Sequence, residues 1–513
     1  MVAARHQPPR RAVRGGATVS GGIRLALVES PNPEAMRRAV AHLGPSLPLL
    51  TELGQLFAAA GHELALVGGP VRDAFLGRTA IDLDFTTSAR PAEIEALLTP
   101  WADTTWDIGR DFGTIGGIRG QTSVEITTYR ADAYDGVTRK PIVAFGDKLE
   151  DDLRRRDFTI NAMALRLPDL RFSDPYDGLD ALAKRRLRTP AAPEVSFGDD
   201  PLRMMRAARF AAQLGFDLAA DAAEAMQQMA ASISIVSAER VRDELSKLLL
   251  APMPRRGLVM LVDSGIAQHV LPEVPALQLE IDEHHRHKDV YEHTLTVLDQ
   301  AIALEAPAGA APPEVAGPDL ILRLAALLHD IGKPATRRFE GGGGVSFHHH
   351  EVVGAKLARA RLRALRYDKE TVRAVSRLVE LHLRFHGYGE GAWSDSAVRR
   401  YVTDSGELLG RLHLLTRADC TTRNQRKARR LAATYDELER RITQLQAAEE
   451  LAAVRPALNG HQIAQVLGIR PGPILGRAYD YLLAVRLDEG PLEPDVAAER
   501  LRAWWVEQPE SQA

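Results

Sequence analysis

Apolar and polar positions change rhythm along the chain. From Leu49, LLTELGQLFAAAG places apolar residues at helical spacing, ELALVGG is a short apolar run, and PVRDAFLG opens another helix. IDLDFTT, TIGGIRG and SVEITTYR follow as strand-like segments. A helix interleaved with several strands predicts a compact α/β or α+β domain ending near Leu187. After that the strand signal largely vanishes. DPLRMMRAARFAAQLGF, DAAEAMQQMAASI and SAERVRDELSKLLLA are rich in alanine, leucine and charge at helical spacing. Helices are predicted on to the C-terminus, with breaks at Pro252–Pro254, Ala306–Gly317 and Gly341–Gly344, the last read as a loop. ARRLAATYDELERRITQLQAAEE carries a strongly charged face.

Composition narrows the class. A chain of 513 residues is too long for one core. Its net charge of -3 gives no overall pull toward nucleic acid, so RNA contacts must come from local patches such as Arg240, Arg242 and Arg423–Arg430. The single cysteine, Cys420, excludes an internal disulfide framework and fits a reducing cytoplasm. No apolar stretch is long enough to span a bilayer, so no membrane partner is expected. Residues 1–44, with Arg5, Arg10, Arg11 and Arg14 among Pro, Gly and Ala, are expected to form a flexible basic tail.

Candidate chemistry begins in IDLDFTT. Asp82 and Asp84 are two apart, so on a strand they share a face. Carboxylates held that close need a proton or a cation between them, and magnesium with phosphates completing its shell is a natural answer. Gly68–Gly69 stand between a short strand and a helix, where backbone N–H groups can meet a phosphate. Glu125, in VEITTYR, can add a third carboxylate. These features alone fit a solvated edge strand as well as a metal site. Farther on, Asp200 and Arg203 are three apart at a helix start and share a face, where by themselves they read as an i,i+3 surface ion pair.

GGPVRDAFLG, DLDFTT, RRDFTINAMA, DDPLRMMRAARF and SAERVRDELSKLL occur in this order. Together they resemble the motif set of the class II tRNA nucleotidyltransferase and bacterial poly(A) polymerase family, over roughly residues 64–250. The resemblance implies an α+β fold: a polymerase-β-like nucleotidyltransferase head with a small mixed sheet, then an all-α neck, HD domain and helical tail. It places the head at 45–187, the neck at 188–275, the HD domain at 276–425 and the tail at 426–513. By this likeness Asp82 and Asp84 would hold Mg2+ with Glu125 beside them. Gly68, Gly69 and Arg72 would meet the triphosphate, and Asp157 and Asn161 the ribose. Asp200 and Arg203 would read the base, with Arg206 and Arg209 also binding nucleotide. Arg154 and Arg156 are candidate phosphate contacts. The partners implied are the tRNA 3′ end, CTP and ATP.

Base reading by an Asp–Arg pair has a chemical rationale. Cytosine and adenine each offer an exocyclic N–H donor beside a ring acceptor, which a carboxylate and a guanidinium complement. Uracil and guanine reverse that pattern. The family commonly begins this motif with Glu where this chain has Asp199. Asp135, Arg139 and Lys140 lie in a segment resembling the family's flexible loop between motifs.

YEHTL, LLHDIGKP, FHHHEVVGA, LHLRFH and RADC hold a second set of histidines and aspartates. They resemble the HD phosphohydrolase superfamily over roughly residues 283–423. By that likeness His293, His329, Asp330 and Asp419 would bind one metal, His350 and His382 would serve a second, and Lys333 would lie near phosphate. Imidazole with carboxylate suits Mn, Ni, Fe or Zn. His348 and His349 read as loop histidines, His284, His285 and His287 as a polar helix start, and Cys420 as a packing residue. The functional expectation is CCA addition to tRNA, with possible hydrolysis of a phosphate ester at the HD site. A poly(A) polymerase or an enzyme adding only CC or A shares these motifs. A metal phosphohydrolase with an RNA-binding head is a further alternative, against which the intact Asp82 and Asp84 argue.

Overall fold

A computed structural model describes residues 32–79, 82–131, 144–279, 289–307, 315–340, 344–385, 393–421, 424–449 and 455–512. Asp135, Arg139, Lys140, His284, His285, His287, His386 and Arg423 lie outside them, as does most of the expected N-terminal tail. One unit takes Met1–Arg203 and Phe216–Met226; the other takes Met204–Gly215 and Gln227–Ala513.

The first unit is built on strands β1 (Leu64–Val67), β2 (Asp82–Thr87), β3 (Thr104–Trp106), β4 (Thr114–Arg119) and β5 (Thr122–Thr128). The short pair β6 (Arg130–Ala131) and β7 (Ala144–Phe145) follows, then β8 (Ala164–Leu167) and β9 (Arg171–Ser173). Seven of these form one mixed sheet in the order β3-β4-β5-β2-β1-β8-β9. Only β2 and β5 run parallel within it; its other neighbours are antiparallel.

Strand β2 alternates strictly at its start. Leu83 and Phe85 are buried, whereas Asp82 and Asp84 point to the open face. On the covered face, a Cβ on Gly117 of β4 would meet Leu98 and Ala102, at the end of helix Pro91–Leu98. The sheet therefore has one helix-covered face and one face left for chemistry. Buried Ala65, Val67, Tyr129, Leu149, Leu153, Ala162 and Ala164 form a core around β1 and β8. Tyr129 is fully buried, and its hydroxyl donates to Glu63 at 3.0 Å.

The second unit is almost entirely helical, as the composition predicts. Ser237 caps helix Ala238–Leu249, and Asp319 caps Leu320–Leu328, each side chain accepting a backbone N–H. Five helices, Val290–Leu304, Leu320–Leu328, His350–Ala364, Lys369–Leu381 and Leu409–Ala418, pack on one another. Every residue from Leu322 to Leu328 is buried, so this helix runs through the middle of its neighbours. After helix Gln425–Glu449, the helices Gly460–Leu467, Pro473–Glu489 and Pro494–Val506 enclose their own small core, including Ile463, Ala478, Leu482 and Leu501. A hairpin of Arg338–Glu340 with Gly344–Ser346 here, and in the first unit a two-residue pairing of Arg186–Leu187 with Asp217–Leu218, are strands that the sequence pattern does not reveal. No helix among the described residues is long and apolar enough to cross a membrane.

Candidate active site and metal centre

The open face of the sheet gathers three carboxylates. In the parallel register of β2 with β5, Asp84 stands directly opposite Glu125, and Asp82 lies two residues before Asp84 on the same face. Strand geometry keeps Asp84 and Glu125 about 5 Å apart across the ladder and Asp82 and Asp84 about 7 Å apart along the strand. Burial raises the Glu125 carboxyl above its ordinary value, and the charges of Asp84 and Asp82 add to the effect. Asp84 is likewise raised, first by the protein around it and then by Asp82, while Arg156 and Arg72 pull the other way. Ionising all three carboxylates together is costly without a cation, and an all-oxygen donor set on one face fits a hard divalent ion.

The glycine turn sits beside this group. Gly68 caps helix Gly69–Phe75 with φ +72° and ψ -135°, a conformation residues with a Cβ rarely adopt. A Cβ on Gly68 would also lie 3.0 Å from Arg156 Nη1 and 3.8 Å from Asp84 Oδ2. The turn thus brings bare backbone up to a carboxylate and a guanidinium at once. Gly68→Ala is expected to raise KM for a phosphate-bearing substrate roughly tenfold, because a residue with a Cβ holds this sparsely populated backbone conformation only at a cost of about 1–3 kcal/mol. Steady-state kinetics on a variant with an unchanged circular dichroism spectrum checks this; an unaltered KM would remove the turn from the site.

Arg72 is held in place by its neighbours. Its Nε and Nη2 donate to the two carboxylate oxygens of Asp73 at 2.9 and 3.0 Å, and its Nη1 donates to Asn161 Oδ1 at 2.8 Å. Asn161 Nδ2 in turn donates to Asp157 Oδ1 at 2.9 Å, and the same oxygen accepts the Phe158 N–H at 2.7 Å. Arg72, Asn161 and Asp157 are therefore one chain of hydrogen bonds, with Asp157 and Asn161 both buried. Arg156 donates to Asp152 Oδ2 at 3.4 Å, and the other oxygen of that buried carboxylate accepts the Arg130 N–H at 3.3 Å.

Asp200 ends helix Pro193–Asp199, and its side chain accepts the Leu202 N–H at 3.2 Å as the next helix begins. Arg203 Nη1 donates to the carbonyl and hydroxyl of Ser196 at 3.1 and 2.9 Å, and its Nη2 donates to the Arg155 carbonyl. Burial lowers the Arg203 guanidinium's affinity for its proton, which the nearby Asp157, Asp199 and Asp200 partly restore. Arg206 and Arg209 belong to the second unit. There Arg209 Nε donates to Glu244 at 2.6 Å and its Nη1 to Gln213 at 2.7 Å, while Arg206 lies 3.6 Å from Glu244. Within that unit they work as helix-to-helix ties.

The second constellation is wholly inside the second unit. His293, His329 and Asp419 form one group of ligand atoms, and Asp330, His350 and His382 form another, each group within 4.8 Å. Asp330 faces both. Its Oδ2 lies 3.2 Å from His329 Nε2 and 3.5 Å from His293 Nε2, whereas its Oδ1 lies 3.3 Å from His350 Nε2 and 4.0 Å from His382 Nε2. His293 Nε2 is 3.0 Å from Asp419 Oδ1.

Three of these rings are oriented by the same local device. The Nδ1 of His329, His350 and His382 faces the carbonyl three residues earlier, of Ala326, Phe347 and Val379, at 2.9, 2.8 and 2.6 Å. That geometry places the proton on Nδ1 and leaves a lone pair on Nε2. All three Nε2 atoms are buried and make no hydrogen bond. Burial and the neighbouring His329 push His382 down to about 3, so its ring is neutral at ordinary pH. Burial alone would raise Asp330, yet positive charge beside it, on His329 when that ring is protonated and on Lys333, holds the carboxyl well below its ordinary value. A charged carboxylate facing imidazole lone pairs is an arrangement completed by a metal cation. Lys333 Nζ, 2.6 Å from Asp330 Oδ2, borders the group.

Family models match three stretches: the "Poly A polymerase head domain" at residues 64–188, the "Probable RNA and SrmB- binding site of polymerase A" at 215–277, and the "HD domain" at 290–424. An A-adding tRNA nucleotidyltransferase from Deinococcus radiodurans is 34% identical over 455 residues, covering 87% of this chain and 96% of that one. The chain belongs to the tRNA nucleotidyltransferase and poly(A) polymerase family. A CCA-adding enzyme from Streptococcus gordonii is 40% identical over 239 residues, which is 46% of this chain but only 57% of the relative. Among solved structures, the Bacillus stearothermophilus CCA-adding enzyme in complex with CTP matches with a TM-score of 0.65 at 25% identity, covering 91% of this chain and 99% of that one. The fold expected from the motifs is therefore the fold of the family: a mixed-sheet head, a helical remainder and an HD domain.

Three residues near these groups have no motif signal of their own. Asp152 ties Arg156, Trp106 lies on the open face of the sheet, and Thr421 Oγ1 lies 3.1 Å from His293 Nδ1. Asp152 sits five residues before Asp157, and nothing in LEDDLRRRD sets it apart from Asp151.

Proposed function

We propose that this tRNA nucleotidyltransferase adds CCA to tRNA 3′ ends from CTP and ATP, without a nucleic-acid template. The observation that carries this reading is the row of Asp82, Asp84 and Glu125 beside the Gly68 turn. Mg2+ held by these carboxylates would stabilise the attacking and leaving oxygens of an in-line phosphoryl transfer. The protein's own part is positioning. Gly68 and Gly69 admit the triphosphate to backbone N–H groups, with Arg72 and Arg156 turned toward it. The Arg72–Asn161–Asp157 chain contacts the ribose from a rigid base. Asp200 and Arg203 accept from and donate to the Watson–Crick edge shared by cytosine and adenine, so protein takes the place of a template. Asp200→Ala is expected to narrow the preference for CTP over UTP by tenfold or more, read from competing incorporation of the two labelled nucleotides. A variant that stays equally selective would take Asp200 out of base reading.

One observation favours a second reading, addition of the terminal A alone. The relative aligned over 96% of its length is an A-adding enzyme, whereas the alignment to the S. gordonii CCA-adding enzyme spans just over half of that protein. The deciding experiment uses tRNA lacking CCA and tRNA ending in CC, each with single labelled nucleotides. C then A on the first substrate, stopping after three additions, supports CCA addition. Failure to use CTP with efficient use of ATP on the CC end selects the A-adding reading, and long A tails select a poly(A) polymerase.

We infer for the HD centre a transition ion (Mn, Ni, Fe or Zn) and hydrolysis of a phosphate ester. The buried imidazole lone pairs around Asp330 support it. Turnover of p-nitrophenyl phosphate or its bis ester, dependent on one of these metals and lost in Lys333→Ala, tests the catalytic half of this reading.

A further inference from the structure

We propose that Trp106 is the stacking platform for the terminal base of the RNA acceptor, the base whose ribose carries the attacking 3′-hydroxyl. This deepens the nucleotidyl-transfer reading and rests on it. Trp106 stands opposite Gly116 in the β3–β4 register, Gly116 stands opposite Glu125 in β4–β5, and Glu125 stands opposite Asp84 in β5–β2. Directly opposed residues share a face of a sheet, so Trp106, Glu125 and Asp84 line one row on the open side.

Gly116 sets where the indole rests in that row. A Cβ on Gly116 would lie 2.1–2.3 Å from Cε2, Cζ2 and Nε1 of Trp106. The ring therefore leans off its own strand and lies on the backbone of β4, next to the Glu125 strand. Trp106 is half-buried, so the side chain keeps surface open to solvent. From β4 to β2 is two strand spacings, about 10 Å. A base on the indole would direct its sugar along the row toward Asp82 and Asp84.

Chemistry favours the acceptor base over the incoming one. An indole face binds any base, since stacking is tolerant of sequence. The acceptor end changes identity as each nucleotide is added, so its subsite must accept different bases at one place. The incoming nucleotide must instead be selected, which calls for hydrogen-bonding groups such as Asp200 and Arg203, and Trp106 brings only a ring and one N–H donor. Without Gly116 the ring would be lifted off β4, so the pair acts as one device.

The test compares wild type with Trp106→Phe and Trp106→Ala, using an RNA hairpin that ends where CCA would begin. Trp106→Ala is expected to raise KM for the hairpin at least tenfold with KM for CTP unchanged, and Trp106→Phe to recover most of the loss. The hairpin, without nucleotide, is expected to quench wild-type tryptophan fluorescence and to quench Trp106→Phe less. Equal KM for the hairpin in all three proteins, or a quench unaffected by Trp106→Phe, overturns the proposal. So does a rise in KM confined to CTP, which would place the incoming base there instead. If Trp106→Ala does not fold, Trp106→Phe and its fluorescence still decide. Wild-type protein that adds no nucleotide to any RNA end would fail the transfer reading itself, a different result from active protein indifferent to Trp106.

Discussion

Alanine at Asp84 is expected to lower nucleotide addition by at least about a thousandfold, through the loss of roughly 4 kcal/mol of transition-state stabilisation. Asp84 is central to the carboxylate row: it faces Glu125 across the β2–β5 ladder, follows Asp82 on the same face, and lies beside the Gly68 turn. The same substitution should leave the fold intact or slightly stabilise it at neutral pH. The charged form of Asp84 is disfavoured by its surroundings and by Asp82, so removing it relieves a cost of folding. Loss of activity with unchanged or raised melting temperature is the signature of a residue kept for chemistry. Quantitative addition assays beside calorimetry read both effects. Substantial residual activity, or loss of activity accompanied by unfolding, would contradict the assignment.

The second large effect is expected at Asp330. Its two oxygens face different groups of ligand atoms, His293 and His329 on one side, His350 and His382 on the other. Asp330→Asn should therefore abolish bound transition metal, whereas His382→Ala should spare the group formed by His293, His329 and Asp419. Metal analysis of protein loaded with Mn, Ni, Fe or Zn distinguishes the two variants. Chelation of wild type should lower its melting temperature by several degrees, since a ligand at a hundred times its Kd stabilises by about 2.7 kcal/mol. The reason is local: without a cation, buried Nε2 lone pairs face carboxylate oxygens that cannot donate to them. Full metal content in Asp330→Asn would refute the shared role of that carboxylate.

Much of this was legible in the sequence because it depends on short-range spacing. DLDFTT spells out the alternation of β2, and the Asp82–Asp84 pair follows from it. The HD residues were legible for another reason. His293, His329, Asp330, His350, His382 and Asp419 carry rare side chains next to apolar helical runs, although their convergence depends on tertiary packing. Strands β3, β8 and β9 were not legible. They are three or four residues long, and ALRL in β8 has the composition of a helix. Missing β3 also hid Trp106, whose place on the open face exists only in the register with β4. The histidine tautomers were hidden because each is set by a backbone carbonyl, and carbonyls leave no mark on sequence. The Asp152–Arg156 tie is the intermediate case: both residues are plain in the sequence, and only folding shows that one holds the other.

The alternation in β2 also limits how the length of this chain can vary. β2 is bonded on both sides, to β1 and to β5, so it cannot bulge away from its partners at little cost. One residue inserted between Asp82 and Phe85 would invert the strand's facing, turning acid toward the core and leucine or phenylalanine toward water. Insertions and deletions that preserve activity must then fall in the connections, and a library of single-residue insertions across residues 79–90 should show a sharp gap of tolerance over β2. On the proposed reading, residue count in this strand matters to catalysis as much as residue identity.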